Sequence, residues 1–451
     1  MKTRSIIKKF FQALGVIAIV LVLVGLGNWQ LDRAAVVKEL NAAAKVIDPK
    51  VYSLSELAAP AVALDSRNVN KQVAVSGFYI SNFKAPLQSD KDGVVSDWEV
   101  ALLQVDPNIS GQVQHQQNST ESDIQSFSAG NLVNHQHFIQ AALKLQPHPQ
   151  ISVALLFDQP YFVDVDYHYS PILSGEPLPI ENADIKFDSR TITALIGYQP
   201  TQHWKLFTGL SYQSFSGDLK IGTQVDYTFF DYHAHFPKNH AWGWLAGVSY
   251  QIPEYAFNTA ITYRAKIKHR TNASESIWGF PLEIAPQQAT EIQTPESVNL
   301  DFHTGLPAQN FLYGSLRWVN WQDFKIQPTQ FSAIVKNQFN LIDYQKNQWS
   351  TRLGLAHQWS PKWITAVEGL WDSGAGNPAS SLNPVDGYVG VGTGAVYHFN
   401  PKTFMIAGLH YLYFTKPEKT QPQSLITQIS SFSSLEQRDA WVYHLKLAHR
   451  F

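Results

Sequence analysis

Short turns that contain proline recur at a nearly constant spacing through the last two thirds of this 451-residue chain. The prolines of successive turns, from Pro147 to Pro401, are 53, 53, 54, 54 and 40 residues apart. Because proline favours turns and lacks the N–H that a strand interior needs, these positions indicate chain reversals. The spacing therefore predicts a series of similar up-and-down hairpins. The six turns lie at residues 147–149, 200–202, 252–254, 306–308, 360–362 and 400–402.

Polarity alternates with a period of two between these turns. In residues 161–169, one face carries Tyr161, Val163, Val165, Tyr167 and Tyr169, and the other carries Phe162, Asp164, Asp166 and His168. Residues 441–451 alternate in the same way. A period of two is that of a β-strand with two unlike faces. The six turns divide residues 98–451 into seven hairpins, hence fourteen strands, an even number as in bacterial single-chain barrels.

The hairpins have unequal ends, because the short turns alternate with long polar or irregular segments such as residues 269–294 and 416–437. Charged residues make up only 16% of the chain, and aromatic residues reach 13%. Such a composition suits the aromatic girdles of a membrane barrel better than a soluble domain. A soluble β-sandwich can alternate similarly, but it does not require seven hairpins with long loops on one side. The chain is therefore predicted to be all-β, a closed antiparallel transmembrane β-barrel of about 14 strands in the cell outer membrane.

Composition also limits the chemistry. The formal net charge of −2 gives no electrostatic case for binding nucleic acid. The chain has no cysteine, so disulfides and thiolate chemistry are excluded. Asp164, Asp166 and His168 are interpreted as a polar stripe facing the lumen rather than as a metal site. No cofactor and no metal are predicted.

The N-terminus departs from this pattern. Lys2, Arg4, Lys8 and Lys9 precede the apolar run of residues 16–27. A basic head before a short apolar core is typical of a secretory signal, whereas counting from Phe10 gives a helix long enough for a retained membrane anchor. Both alternatives stay open for residues 1–27. Residues 28–104 are predicted to form a small α+β segment, periplasmic or plug-like, before a barrel over residues 105–451.

Several segments resemble the FadL family of outer-membrane transporters for long-chain fatty acids and aromatic hydrocarbons. They are residues 105–111 (VDPNISG), 151–169, 242–268, 294–324 and the closing strand. The resemblance implies a fourteen-stranded monomeric barrel, in agreement with the count above, with a hydrophobic small molecule and outer-membrane lipids as partners. Phe451 and the apolar residues alternating before it resemble the signal recognised by the barrel assembly machinery. The family's Asn-Pro-Ala plug motif does not precede the barrel here.

Residues 13–104 resemble, more weakly, the start of the surfeit-locus family of cytochrome-oxidase assembly factors. The similar parts are residues 25–33 (GLGNWQLDR) and 73–79 (VAVSGFY). This second resemblance implies a join near Asp106 and Pro107. It also leaves an alternative function open, that of an inner-membrane oxidase assembly factor fused to a barrel.

Pro160 is the sharpest single feature of the predicted wall. Residues 155–162 (LLFDQPYF) have the pattern of a strand, yet proline cannot donate a ladder hydrogen bond. Every strand of a closed barrel is central, so the ladder must be interrupted there. The family resemblance aligns Asp158, Gln159, Pro160 and Tyr161 with a kinked third strand that provides a lateral opening to the bilayer. Alternatively, Pro160 lies at the outer end of the strand, where a loop begins.

Five residues are predicted to bind ligand. Lys220 and Lys325 lie near the positions where the family places basic residues around a fatty-acid head group, although either could be an ordinary lumen or rim lysine. Phe229, Phe230 and Phe236 form an aromatic group before Trp242. This group could receive an apolar ligand at the outer rim or belong to an interface girdle.

The predicted function is passive uptake of hydrophobic molecules such as long-chain fatty acids or hydrocarbons, with lateral release through the kinked wall strand. No enzyme activity is predicted. An outer-membrane lipase or esterase is the alternative from another class. No Gly-x-Ser-x-Gly motif supports it.

Overall fold

The computed structural model describes residues 97–116, 124–131, 133–166, 172–173, 176–177, 182–225, 228–252, 255–337, 340–375, 386–415 and 432–450. The predicted segment 1–27 and most of the predicted segment 28–104 lie outside these residues. The first strand begins at Asp97, so the predicted boundary at residue 105 and the proposed join near Asp106 both fall inside that strand.

Strands make up most of the described chain. In chain order, the first twelve are β1 (Asp97–Gln116), β2 (Ile124–Asn131), β3 (Gln136–His148), β4 (Ile151–Asp158), β5 (Phe162–Asp166), β6 (Ile172–Leu173), β7 (Glu176–Pro177), β8 (Asn182–Tyr198), β9 (Trp204–Val225), β10 (Thr228–Ile252), β11 (Phe257–Arg264) and β12 (Ile267–Thr271). The other twelve are β13 (Ser274–Ile277), β14 (Phe280–Pro281), β15 (Thr290–Thr294), β16 (Ser297–Leu306), β17 (Asn310–Val319), β18 (Lys325–Ile326), β19 (Ile342–Asp343), β20 (Gln348–Ser360), β21 (Trp363–Asp372), β22 (Tyr388–Asn400), β23 (Thr403–Phe414) and β24 (Phe432–Arg450). A 3-10 helix, Trp321–Asp323, and one α-helix, α1 (Thr329–Ile334), complete the described elements.

The sheet closes on itself because β1 pairs with β24, from Asp97 opposite Arg450 to Val113 opposite Phe432. Neighbouring strands are antiparallel throughout the wall. Several wall strands consist of two pieces, such as β2 with β3 and β4 with β5, and the described wall then has fourteen strands. Closure leaves the sheet without a free outer edge, as a bilayer without free water demands of the backbone. The predicted fourteen-stranded barrel is confirmed.

The two rims of the barrel differ as the sequence predicted. The proline-containing turns among the described residues join neighbouring wall strands, for example β20 to β21 through residues 361–362 and β22 to β23 through residues 401–402. This end is called the short-turn rim. The opposite end, where longer segments connect the strands, is called the long-loop rim.

The two faces of each wall strand have different environments. On β24, Trp441, Tyr443, Leu445 and Leu447 point outward and are 40–45% exposed, whereas the alternate residues Val442, His444, Lys446 and Ala448 are at most 5% exposed. Exposed aromatic side chains form two bands around the outer face. Trp204 on β9 and Trp363 on β21 lie at the short-turn rim. Trp242 on β10 and Trp371 on β21 lie eight to ten residues from the short-turn end of their own strands. That separation matches the roughly 9–11 residues that a tilted strand needs to cross a bilayer.

The inward-facing side chains form two apolar layers. The outer apolar cluster lies toward the long-loop rim and contains, among others, Tyr161, Phe187, Phe215, Phe236, Trp321 and Phe331. The inner apolar cluster lies toward the short-turn rim and mixes alanines such as Ala101, Ala154 and Ala356 with larger side chains such as Phe207, Phe311 and Tyr313. Buried charged side chains accompany the inner cluster, among them Glu99, Lys446, Glu368 and His410. Toward the short-turn rim the lumen therefore combines apolar side chains with buried charged pairs.

Within the described ranges, no helix is long and apolar enough to cross a membrane. Across the same ranges, no group of three or more His, Cys, Asp and Glu side chains is arranged to hold a metal ion.

Candidate functional site

Aromatic rings dominate the outer apolar cluster. The ring of Phe187 lies 5.6 Å from that of Phe215 and 5.8 Å from that of Phe236. Tyr161 meets Trp321 edge-to-face at 6.1 Å. These side chains come from β8, β9, β10 and the segments beside β5 and β17, so the cluster joins opposite parts of the wall. Such a surface offers a large apolar contact area to a small hydrophobic molecule.

A buried carboxylate holds the loops above this cluster. Glu275 on β13 accepts hydrogen bonds from the backbone N–H groups of Gln330 (2.8 Å) and Phe331 (2.6 Å) in α1, and from the Tyr232 hydroxyl (2.8 Å). Tyr232 lies about twenty residues from the short-turn rim, beyond the stretch that crosses the bilayer. Burial, followed by the negative charge of Glu275, raises the pKa of Tyr232. The phenol therefore stays a hydrogen-bond donor.

An apolar tip projects from the same loops. Trp278 and Phe280 flank Gly279 in the turn between β13 and β14 and are 52% and 74% exposed. Ile284 is also exposed. Gly279 has a φ of 76° and Trp278 a φ of 51°, so the turn holds a tryptophan in the left-handed region. Exposed aromatic groups beyond the membrane are available to a ligand in solution.

The wall strand formed by β4 and β5 is interrupted at Gln159, Pro160 and Tyr161. Asp158 pairs with Thr191 of β8, and Phe162 pairs with Asp188, so three residues lie opposite two. Ser189 replaces the missing ladder bonds, because its hydroxyl accepts from the Tyr161 N–H and donates to the Tyr161 carbonyl, both at 2.8 Å. The strand continues beyond the interruption as β5, and the described interruption therefore lies within the wall.

The other edge of this strand loses its regular ladder with β3. The last described pair between β3 and β4 is Ala141 with Phe157, and the rest of β3 up to Gln136 pairs with β1 alone. Side-chain amides bridge the separated edges. The Ile139 N–H donates to Gln159 Oε1 at 3.0 Å, and Asn134 Nδ2 donates to Asp164 Oδ1 at 2.9 Å. The interruption is thus a gap in the regular ladder, spanned by these two side-chain bonds and by one backbone bond from the Asn134 N–H to the Asp164 carbonyl at 3.4 Å.

The extra residue at this interruption reverses the faces of β5. Asp164 forms an ion pair with Lys186 at 3.4 Å, and the Lys186 side chain is 61% exposed on the outward face of β8. The interpretation of Asp164 as part of a lumen-facing stripe is therefore wrong. A β-bulge shifts the alternation by one residue, which a strict period of two cannot show.

A second interruption affects the two wall strands opposite. β11 ends at Arg264 and β12 begins at Ile267, while β15 ends at Thr294 and β16 begins at Ser297. The two-stranded β12/β15 ribbon continues beyond these gaps and pairs with itself rather than with β10. His269 anchors the ribbon, because its ring nitrogens contact Asn239 Oδ1 at 2.8 Å and Gln213 Oε1 at 3.0 Å. On its exposed side, a hydrogen bond from Lys268, together with Arg270, lowers the pKa of Glu291.

The two interruptions meet across the lumen. The Tyr161 hydroxyl donates to the Pro295 carbonyl at 3.0 Å, and Asp158 Oδ2 lies 3.8 Å from Arg264 Nη2. Arg317 also acts electrostatically on Asp158. Asp158, Tyr161, Arg264 and Arg317 are all at most 7% exposed. Contacts shielded from water in this way are stronger and more directional than the same contacts at a surface.

Toward the short-turn rim, charged side chains are buried in pairs. Glu368 on β21 contacts His410 on β23 at 2.6 Å and Arg352 on β20 at 3.9 Å. Glu99 on β1 contacts Lys446 on β24. Burying a charged group costs free energy unless the group is paired, and separating either pair would leave an unpaired charge in the barrel.

The predicted ligand-binding residues are scattered. Even-numbered residues of β9 face outward, and Lys220 is accordingly exposed and lies 3.9 Å from Asp184. Lys325 is exposed on β18, which pairs with β19 in a ribbon separate from the wall sheet. The predicted position of Lys220 inside the barrel is therefore wrong, and the ligand-binding role of Lys325 stays a prediction. Phe236 is fully buried in the outer apolar cluster, whereas the side chains of Phe229 and Phe230 lie outside the described ones.

Sequence reasoning found the residues of the interruption but missed their partners. Arg264, Pro295 and Trp321 lie within segments quoted for the family resemblance, yet no pattern singled them out. The signal was weak because each partner is more than a hundred residues from Asp158 or Tyr161. Pro295, which follows an alternating stretch, was the one available sign of a second interruption.

A closed fourteen-stranded wall with an oily outer face and an aromatic lumen defines an outer-membrane channel protein. Residues 230–451 match the family model described as outer membrane protein transport protein (OMPP1/FadL/TodX). Residues 230–451, just under half of the chain, are therefore similar to the FadL/TodX family of outer-membrane transport proteins. The family resemblance predicted from the sequence is confirmed. The match does not include residues 13–104, where the surfeit-locus resemblance stays a prediction.

Solved structures show the same fold at low sequence identity. The Pseudomonas aeruginosa FadL homologue is 12% identical, with a TM-score of 0.58 over 79% of this chain and 90% of that chain. The Pseudomonas putida toluene transporter TodX is 10% identical, with a TM-score of 0.51 over 79% and 89%. The Ralstonia pickettii toluene transporter TbuX is 11% identical, with a TM-score of 0.50 over 79% and 90%. No curated protein matches the chain.

Proposed function

We propose that this barrel mediates passive uptake of hydrophobic molecules across the outer membrane, with lateral release into the bilayer. The observation that carries the proposal is the position of Tyr161. It belongs both to the wall interruption and to the outer apolar cluster, so a ligand in that cluster lies beside the break in the wall. No energy source is needed, because the ligand moves from one apolar environment to another.

The apolar tip is the proposed landing point. Trp278 and Phe280 are exposed on the long-loop side, above the cluster whose loops Glu275 holds in place. Covering apolar surface releases about 25 cal/mol per Å² removed from water. A dilute hydrophobic molecule would therefore be concentrated at the tip before it reaches the lumen.

The lining favours neutral ligands over carboxylates. Lys220 points outward from β9, so this lysine is not available to a carboxylate inside the barrel. Arg264 is engaged by Asp158, and Arg317 donates to Asn299 at 3.1 Å. An aromatic or aliphatic hydrocarbon would need no counter-charge, and it gains about 0.8 kcal/mol for each buried methylene.

The charged inner half of the lumen supports a sideways route. A ligand that continued toward the short-turn rim would leave the aromatic lining and enter the layer that holds the buried pairs Glu99 with Lys446 and Glu368 with His410, whose charged groups an apolar molecule cannot solvate. At the interruption, by contrast, the neighbouring outward side chains Ile139, Leu155 and Ile192 are exposed and aliphatic. Their surroundings are hydrocarbon, which accepts an apolar molecule without cost.

Uptake measurements test the proposal. Cells that express the protein should accumulate radiolabelled naphthalene faster than cells with empty vector, and radiolabelled oleate less strongly. Pro160→Ala, which restores a ladder donor, should slow uptake, whereas Pro401→Ala in a short turn should not. Uptake of both probes equal to that of the vector cells would refute the function. Equal uptake by the two proline variants would refute lateral release.

A further inference from the structure

We propose that Asp158 and Tyr161 latch the lateral opening shut by binding the base of the β12/β15 ribbon. The inference rests on the proposed function, since it concerns how the same opening is controlled. Each residue of the latch sits at a strand end. Asp158 ends β4, Arg264 ends β11, and Pro295 directly follows β15. The two contacts therefore tie one break in the wall to the other.

The segment from Gln159 to Tyr161 can shift without breaking any backbone pairing of β4 or β5 with β8. On the β3 side it is held by the Gln159 amide, and on the β8 side by the Ser189 hydroxyl. Both flanking strands, β4 and β5, keep their own pairing with β8. A shift of three residues would therefore widen the opening while the barrel stays closed.

The opposite end of the latch belongs to the loops. The β12/β15 ribbon leads into β13, where Glu275 binds α1 and Tyr232. Thr271 at the end of β12 also donates to the Pro237 carbonyl at 3.2 Å. A displacement among the loops can thus reach Pro295 through the ribbon, and through Pro295 the hydroxyl of Tyr161.

Ligand binding supplies the displacement. Tyr161 and Trp321 pack edge-to-face inside the outer apolar cluster. A molecule that inserts among these rings has to separate or rotate them, because protein interiors are close-packed. Rotation of Tyr161 breaks its bond to Pro295. Ligand binding in the outer apolar cluster is then coupled to opening of the wall.

Tyr161→Phe is the test variant, because it keeps the ring and removes the hydroxyl. Tyr263→Phe is the matched control. The Tyr263 hydroxyl donates to Glu296 at 2.5 Å beside the same gap, but from the outward face of β11. Since the chain has no cysteine, Val133→Cys supplies a single reporter. Val133 is 1% exposed and precedes Asn134, which bridges the edge of the opening.

The measurement is the rate at which a bilayer-soluble pyrene maleimide labels Val133→Cys in protein reconstituted into lipid vesicles. Tyr161→Phe should raise this rate about fivefold, the effect of one lost hydrogen bond on an opening equilibrium. Tyr263→Phe should leave it unchanged, and naphthalene should raise it in the parent protein. Asp158→Asn provides a second variant that weakens the ion pair and should also accelerate labelling. Heat-dependent gel mobility verifies that each variant is folded.

Equal labelling of Tyr161→Phe and Tyr263→Phe, with Asp158→Asn also unchanged, would overturn the latch. The labelling needs no transport, so it separates the two proposals. Accelerated labelling in a protein that takes up neither naphthalene nor oleate would support the latch while removing the proposed function. Normal naphthalene uptake with unaltered labelling would support the proposed function and overturn the latch.

Discussion

Glu368 on β21 and His410 on β23 meet at 2.6 Å over Gly392, which lies on the strand between them. A Cβ atom at residue 392 would approach His410 Cδ2 to 2.1 Å. The glycine is thus what lets two inward side chains reach each other across an intervening strand. It also explains how a carboxylate can be fully buried inside the barrel.

Gly392→Ala should therefore destabilise the barrel by about 2–4 kcal/mol, through overpacking and the loss of a partner for buried Glu368. Gly369→Ala on β21 is the matched control, because nothing lies within 4 Å of the Cβ it would add. Urea unfolding in lipid vesicles, followed by tryptophan fluorescence, measures the difference. Equal midpoints for the two variants would show that the Glu368–His410 contact does not depend on Gly392.

Glu275→Gln should loosen the loops over the outer apolar cluster. The carboxylate accepts three hydrogen bonds, and bonds to a charged group contribute about 1.5–3 kcal/mol each. We expect faster trypsin cleavage at the exposed Lys336, just after α1. Glu283→Gln, an exposed residue of the same loop, should cleave at the parent rate. If both variants resist trypsin alike, Glu275 is not what holds α1 down.

The wall could be predicted from the sequence because the bilayer imposes it. Lipid leaves backbone groups no partner outside a closed ladder, so a period of two with regular turns has few other solutions. Pro160 could be recognised for the same reason, since a residue without an N–H must interrupt any ladder. Local rules of this kind act through neighbouring residues, and they are visible in a single sequence.

The partners of the interruption obey no local rule. Tyr161 and Pro295 are 134 residues apart, and only closure of the barrel brings them together. The outward position of Asp164 depends on one extra residue in the bulge, which reverses every later face of β5. The family resemblance predicts Lys220 in the lumen, whereas the alternation of β9 from Trp204 onward puts this lysine on the outer face. Register counted along the strand would have corrected that prediction.

The apolar tip should set the affinity for ligand rather than the rate of release. Replacing both Trp278 and Phe280 with serine removes exposed aromatic surface, and we expect the naphthalene concentration for half-maximal uptake to rise about tenfold. The maximal rate should change little, because the wall is untouched. Trp359→Ser is the control, since Trp359 is 69% exposed but lies at the short-turn rim. An equal rise in that control would mean that exposed tryptophans act on the membrane rather than on the ligand.

The β12/β15 ribbon should be less stable in acid, because protonation of Glu291 removes its ion pairs with Lys268 and Arg270. Its pKa is lowered, first by the hydrogen bond from Lys268, so the folded ribbon favours the charged carboxylate. A depressed pKa contributes stability above the ordinary carboxyl value of about 4.3, and that contribution is lost as the pH falls through the folded value. The protection factors of the β12 and β15 amides, which correct for the intrinsic pH dependence of hydrogen exchange, should therefore fall below about pH 4.3 in the parent protein. In Glu291→Gln, which has no charge to lose, the exchange of these amides should depend less on pH, and an identical acid response in both proteins would assign the effect to another group.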